Sequence, residues 1–199
     1  MVTRVHHAAA AGRRGVRRLF FSLALVAIAT TGMLADPINA PRVEVTEAGG
    51  VYSVTAAFAV TESPQTVMAV LTDYARIPTY VPDMEISRVI ERTPTGAVVE
   101  QQATSKFMMF SKRIHLVLEI REDAGVIRFR DRSGESFESY EGGWFISAHD
   151  SLTVIDYRLS AKPAFDVPGF VLKRLLKRDA ARLIDRIKAE ITEREDRRK

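Results

Sequence analysis

A chain of 199 residues, 46% of them apolar, is enough for one domain core and a short appendage, and no apolar stretch is long enough for an obvious membrane span. The absence of cysteine excludes disulfides, thiolate metal sites, a cysteine nucleophile and a lipidated N-terminal cysteine. The formal charge of +4 comes from five arginines in residues 1–35, where no acid offsets them. The rest sums to about −1, which argues against nucleic acid as a partner.

Arg4, Arg13, Arg14, Arg17 and Arg18 form a basic n-region. An apolar h-region of residues 19–29 follows, then the small or helix-breaking Thr30-Thr31-Gly32. This order predicts an export signal over residues 1–35, cleaved near Ala35, that delivers the protein to the periplasm or cell envelope. Arg17-Arg18-Leu19-Phe20-Phe21 resembles a twin-arginine signal, with Val16 where a hydroxyl residue is usual. An uncleaved membrane anchor is the alternative. Residues 36–50 read as a Pro/Gly-containing lead-in to a domain over residues 51–199.

Tyr52, Val54, Ala56, Phe58 and Val60 alternate along a first strand. Ser63-Pro64 starts a helix: Ser63 can cap it, and Pro64 suits the first helical position, where its missing N–H costs nothing. Val67, Val70, Leu71 and Tyr74 follow at helical spacing, and Pro78 and Pro82 break the chain around a short apolar loop. From Met84 to Lys162 strands and turns alternate. One strand runs near residues 85–92, and another runs from Ala97 toward Phe110. Ile114, Leu116, Leu118 and Ile120 then share one face, opposite Arg113, His115, Glu119 and Arg121. A turn centred on Asp123-Ala124 would pair Leu118 with Phe129, Ile120 with Ile127 and Glu119 with Arg128. A turn at Ser133-Gly134-Glu135 would set Arg130 opposite Glu138. Gly142-Gly143 reads as a β-bulge that brings Trp144, Ile146 and Ala148 to the inner face. A turn at Asp150-Ser151 sets Ile146 opposite Ile155 and Trp144 opposite Tyr157.

Past Pro163 and Pro168 a long helix is predicted from about Gly169 to near Arg194. Leu172, Leu175, Leu176, Ala180, Leu183, Ile187 and Ile191 form its apolar stripe. Residues 170–199 carry eleven Lys/Arg against six Asp/Glu, with Lys173, Arg174, Lys177, Arg178 and Lys188 mostly off the stripe. Such a flank is either a solvated face or a docking surface for anionic lipid. Met108-Met109-Phe110 reads as a lipid-facing loop tip, a core contact or a dimer contact.

The order strand, two short helices, six strands, long helix resembles the START-like helix-grip superfamily. Within it, the chain is most similar to the polyketide cyclase/dehydrase or coenzyme Q-binding START-like branch. The resemblance is carried by Ser63-Pro64 leading into residues 67–74, by Ile77-Pro78, Tyr80-Val81-Pro82, Ser87-Arg88-Val89, Val99-Glu100-Gln101 and Gly143-Trp144, and by Pro168-Gly169-Phe170 opening the last helix. It spans residues 51–192. It implies an α+β fold, a curved antiparallel sheet of about seven strands wrapped around a long C-terminal helix. Members use the space between sheet and helix for lipids, quinones, steroids or polyketides, and a minority are enzymes.

The residues give little sign of bond chemistry. No histidine has a ligand-spaced partner for a metal, no glycine-rich loop opens a helix, and no serine sits in a nucleophile-elbow context, so neither metal nor cofactor is expected. His115 reads as a solvated outer-face residue. The candidate acids are Asp131 and Glu141, by strand parity, and Asp179, at the edge of the helix stripe. Frayed strand ends and pairing of Asp179 with Arg182 or Arg186 are the plainer account of them. Phe58, Leu116, Leu118, Phe129, Trp144, Ile146, Tyr157, Leu172, Leu176 and Leu183 are the expected ligand cavity. The functional expectation is an exported binder or carrier of a lipid, quinone or polyketide-like molecule. A cyclase or dehydratase using the three acids, and an envelope assembly factor holding a protein partner, are the alternatives.

Overall fold

A computed structural model describes residues 42–107 and 110–199 of the chain. The proposed signal and Met108-Met109 lie outside the described residues, as do the side chains of Phe107 and Phe110. The described chain forms eight strands: β1 (Arg42–Ala48), β2 (Val51–Val60), β3 (Met84–Thr93), β4 (Gly96–Phe107), β5 (Phe110–Asp123), β6 (Val126–Asp131), β7 (Phe137–His149) and β8 (Leu152–Pro163). They make one antiparallel sheet in the order β1-β2-β8-β7-β6-β5-β4-β3. Helix α1 (Pro64–Leu71), a 3-10 turn (Tyr74–Arg76) and helix α2 (Ile77–Tyr80) connect β2 to β3. The last helix, α3 (Gly169–Asp196), packs against β1, β2 and β4 and against α1 and α2.

Most elements form where hydrophobic period and capping chemistry place them. All five alternating residues of β2 are buried, and Phe58 is fully so. Burying a side chain of that kind contributes roughly 1.5–3 kcal/mol. Ser63 Oγ accepts from Thr66 N at 3.2 Å and Pro64 occupies the first turn of α1, as expected. Pro78 starts a helix rather than ending one, since it lies in the first turn of α2.

Several expectations need correction. Residues 42–48 are not lead-in but an eighth strand, whose Val43 and Val45 join the core while Arg42 and Glu44 face out. A tight turn at Gly49-Gly50 folds it onto β2.

The β5–β6 turn is centred on Ala124-Gly125, one residue later than expected, because Gly125 takes the positive φ of 72° that the turn requires. Every partner moves by two: Leu118 faces Asp131, Ile120 faces Phe129 and Glu119 faces Arg130. An even shift preserves the faces, and the outer charges still pair, Arg130 Nη2 lying 3.0 Å from Glu119 Oε2. Arg130 faces Glu141, while Glu138 pairs with Lys162.

The β7 irregularity falls between Phe137 and Ser139, and pairing runs unbroken through Gly142-Gly143. The glycines answer close backbone approach instead. A Cβ on Gly142 would lie 2.2 Å from the Arg158 carbonyl oxygen and 2.8 Å from the Phe129 ring. Moving the phase change upstream puts Tyr140, not Ser139, on the inner face, and Trp144 and Ile146 stay where expected. Trp144 pairs with Tyr157 and Ile146 with Ile155, as the Asp150-Ser151 turn predicts.

The C-terminal half of α3 is fixed by both packing and charge. Ile184, Ile187 and Ile191 are buried, and so is Glu190. Arg194 Nε donates to Glu190 Oε1 at 2.6 Å, and Arg194 Nη1 donates to the Ala69 carbonyl at 3.0 Å. Arg194 also pairs with Asp73 at 2.9 Å, which ties the helix to α1 and the turn after it.

Candidate functional site

Inward alternation on β5, β6, β7 and β8 presents Leu116, Leu118, Ile127, Phe129, Trp144 and Tyr157 to the N-terminal half of α3, which presents Leu172, Leu176 and Leu183. Between them is a cavity of about 270 Å³, completed by Tyr74, Ile77, Tyr80 and Met84 from the segment between β2 and β4. The lining is almost wholly apolar, and the volume lies just under the roughly 300–1,000 Å³ common for small-molecule sites. Leu176 and Leu183 are only half-buried: each packs against the core and also borders this space.

Of the ten expected cavity residues, Leu116, Leu118, Phe129, Trp144, Tyr157, Leu172, Leu176 and Leu183 line it. Phe58 and Ile146 lie in the solid core and do not reach it.

The three acids part company. Asp131 accepts from Val117 N at 2.9 Å, Ser133 N at 3.0 Å and Gly134 N at 3.2 Å, so its carboxylate builds the β6–β7 loop. Glu141 points to the outer face, among Arg121, Arg128, Arg130 and Arg158. Its expected inner placement fails because the phase change precedes it. Asp179 does line the cavity. Its partners are Arg178, with Nε at 2.9 Å and Nη2 at 2.6 Å, and Ser105, whose hydroxyl donates at 2.5 Å. The expected partner Arg182 pairs with Asp83 instead.

His115 is no lone solvated residue. Its Nδ1 lies 2.8 Å from Glu135 and its Nε2 3.1 Å from Glu100, on the outer face. The hydrogen bond that its ring donates to Glu135 raises its pKa above the usual value. Among the described residues, no cluster of three or more His, Asp or Glu side chains could hold a metal ion.

Among the polar groups of the cavity, Tyr74, Tyr140 and Lys112 escaped the sequence reading. Tyr140 and Tyr157 are hydrogen-bonded hydroxyl to hydroxyl. Burial pushes Tyr140 up to about 12, and Tyr157 well above its usual value, so both stay protonated near neutrality. Tyr74 donates to Glu122 at 2.8 Å, and burial raises its pKa as well. Lys112 lines one end beside Phe165. A signal for Lys112 was available: it shares the parity of Ile114 and Leu116.

The architecture is a START-like helix-grip fold. The chain belongs to the family described as polyketide cyclase / dehydrase and lipid transport, whose model matches residues 60–188, well over half its length. Comparison with curated proteins found no match.

Among solved structures, the chain is similar to the Zhui aromatase/cyclase from Streptomyces sp. R1128, with 15% identity and a TM-score of 0.63 over 72% of this chain and 95% of that one. It is also similar to a START superfamily protein from Mycobacterium smegmatis, with 16% identity and a TM-score of 0.60 over 71% and 97%. A STAR-related lipid transfer protein fragment from Xanthomonas axonopodis gives 14% identity and a TM-score of 0.60 over 79% and 97%. At these identities the likenesses speak to the fold alone.

Proposed function

We propose that this protein binds and carries an apolar molecule, of lipid, quinone or polyketide-like kind, in the cavity between sheet and α3, and that it does so after export. The observation that carries the reading is the chemistry of the lining. It is predominantly apolar, and its single carboxylate, Asp179, is already held by Arg178 and Ser105. General acid–base work needs a group free to exchange a proton near the operating pH, and the high pKa of the buried tyrosines suits them poorly to it. The Tyr140–Tyr157 pair holds two hydroxyl protons and uses one on itself, which leaves one for a ligand oxygen.

Export is supported by the basic and apolar runs of residues 1–35. Docking on anionic lipid is supported by the exposed Lys173, Arg174 and Lys177 beside the exposed Phe170 at the start of α3. Each basic residue near such a surface is worth about 1 kcal/mol.

Native mass spectrometry of protein purified from its host tests the carrier reading. A co-purifying apolar molecule is the expected result. An empty chain that also ignores added quinones and long-chain lipids would overturn it, and turnover of an added polyketide that is lost in Asp179→Asn would replace it with the cyclase reading.

A further inference from the structure

We infer that the cavity selects an amphiphile with an anionic head group, and that Lys112 is the residue that selects it. The inference rests on the carrier reading and names the ligand class for the same site. Inward positions of β5 are Ile114, Leu116, Leu118 and Ile120, and Lys112 continues that row. A lysine on the inner face of a sheet departs from the pattern, since charges seldom turn inward without a partner.

The surroundings of Lys112 supply no such partner. Its ammonium lies 4.7 Å from the ring centroid of Phe165, and among the described residues no carboxylate lies within ion-pair distance of it. Ser105 sits directly opposite on β4, and its hydroxyl is given to Asp179. The Asp179 charge is balanced by Arg178. Among the described residues, then, the ammonium at that end of the cavity stands against apolar walls with no carboxylate at ion-pair distance. Low-dielectric walls strengthen attraction to a ligand's anion, and the ammonium has three protons to donate. An aromatic face satisfies an ammonium only in part. A carboxylate or phosphate head placed beside Lys112 would complete it, with the apolar tail running toward Phe129 and Trp144. The shared chemistry is a compact anion on an apolar chain, as in a fatty acid or a single-chain phospholipid.

The test titrates the full-length protein with dodecanoate, dodecyl phosphate and dodecanol below their micelle concentrations, reading Trp144 fluorescence and calorimetry. At least one anion should bind tenfold or more tighter than dodecanol. Whichever is tighter identifies the carboxylate or the phosphate as the matching head. Lys112→Met should abolish that preference, weakening the anion tenfold or more and dodecanol far less, and its retained binding of dodecanol shows that the cavity is intact. Lys112→Arg should keep it. Equal affinity of wild type for all three probes, or an equal loss for all three in Lys112→Met, would overturn the inference while leaving the carrier reading in place. Binding of none would overturn the inference, and the carrier reading would then be decided by native mass spectrometry and added quinones.

Discussion

The indole of Trp144 lies against the ring of Tyr157, centroids 4.4 Å apart and tilted by 37°, from directly paired positions on β7 and β8. Both rings are buried and both line the cavity. Because Trp144 is the only tryptophan of the chain, indole fluorescence reports on its surroundings alone. A quinone or long-chain lipid should quench or shift it saturably. Trp144→Phe should weaken binding with little loss of stability, and Trp144→Ala should destabilise the fold by about 3–5 kcal/mol. Ready quenching by iodide in the ligand-free protein, with no response to any apolar ligand, would contradict this placement.

Asp179 is about a third exposed and doubly held. Asp179→Asn keeps the shape and removes the charge opposite Arg178, so urea denaturation should show a loss of no more than about 1 kcal/mol. A much larger loss would mean that the carboxylate is more deeply committed than its exposure indicates.

The alternation of β2 and of β5, the cap at Ser63-Pro64 and the 3.6-residue stripe of α3 were all legible, because each is a local pattern. So were eight of the ten cavity residues. What was not legible depended on distant partners. The β5–β6 register turned on which residue takes the positive φ. Gly142-Gly143 looked like an interruption until Arg158 and Phe129 were seen to crowd it. Glu190 breaks the apolar period of α3 and reads as surface, yet it is buried because Arg194 and its neighbours come with it. The strand at Arg42–Ala48 was masked by the prolines before it and the glycines after it, although Val43 and Val45 already alternated.

Glu190 gives a third prediction. Removing one partner of a buried ion pair leaves the other charge uncompensated, at a cost of about 3–5 kcal/mol. Glu190→Leu should approach that range by chemical denaturation. The double variant with Arg194→Met should lose less than the sum of the two single losses. Strict additivity would show that the two side chains act independently.

The His115 bridge gives a fourth. Its folded-state pKa is raised, mainly by the hydrogen bond with Glu135. The folded state therefore holds this proton more tightly than the unfolded chain does. The resulting stability is fully present below the unfolded value of about 6.5 and fades as pH rises through the folded value. The stability advantage of wild type over His115→Gln should be present at about pH 5 and absent at about pH 9. An advantage that grows toward alkaline pH would contradict the sign.

Export makes the fifth. Sequencing the N-terminus of protein from its native host should begin near Asp36, and an intact Met1 in the cytoplasmic fraction would refute it.

The two halves of α3 are held unequally. The C-terminal half is fastened by Ile184, Ile187, Ile191 and the Arg194 cluster, while the N-terminal half borders an open space with Leu176 and Leu183 half-buried. Opening free energy should therefore rise along the helix axis. Backbone amides of residues 173–183 should exchange with deuterated solvent faster than those of 184–191, and a bound ligand should slow the first group far more than the second. The helix would then behave as a cantilever, clamped at its far end and free to flex over the ligand.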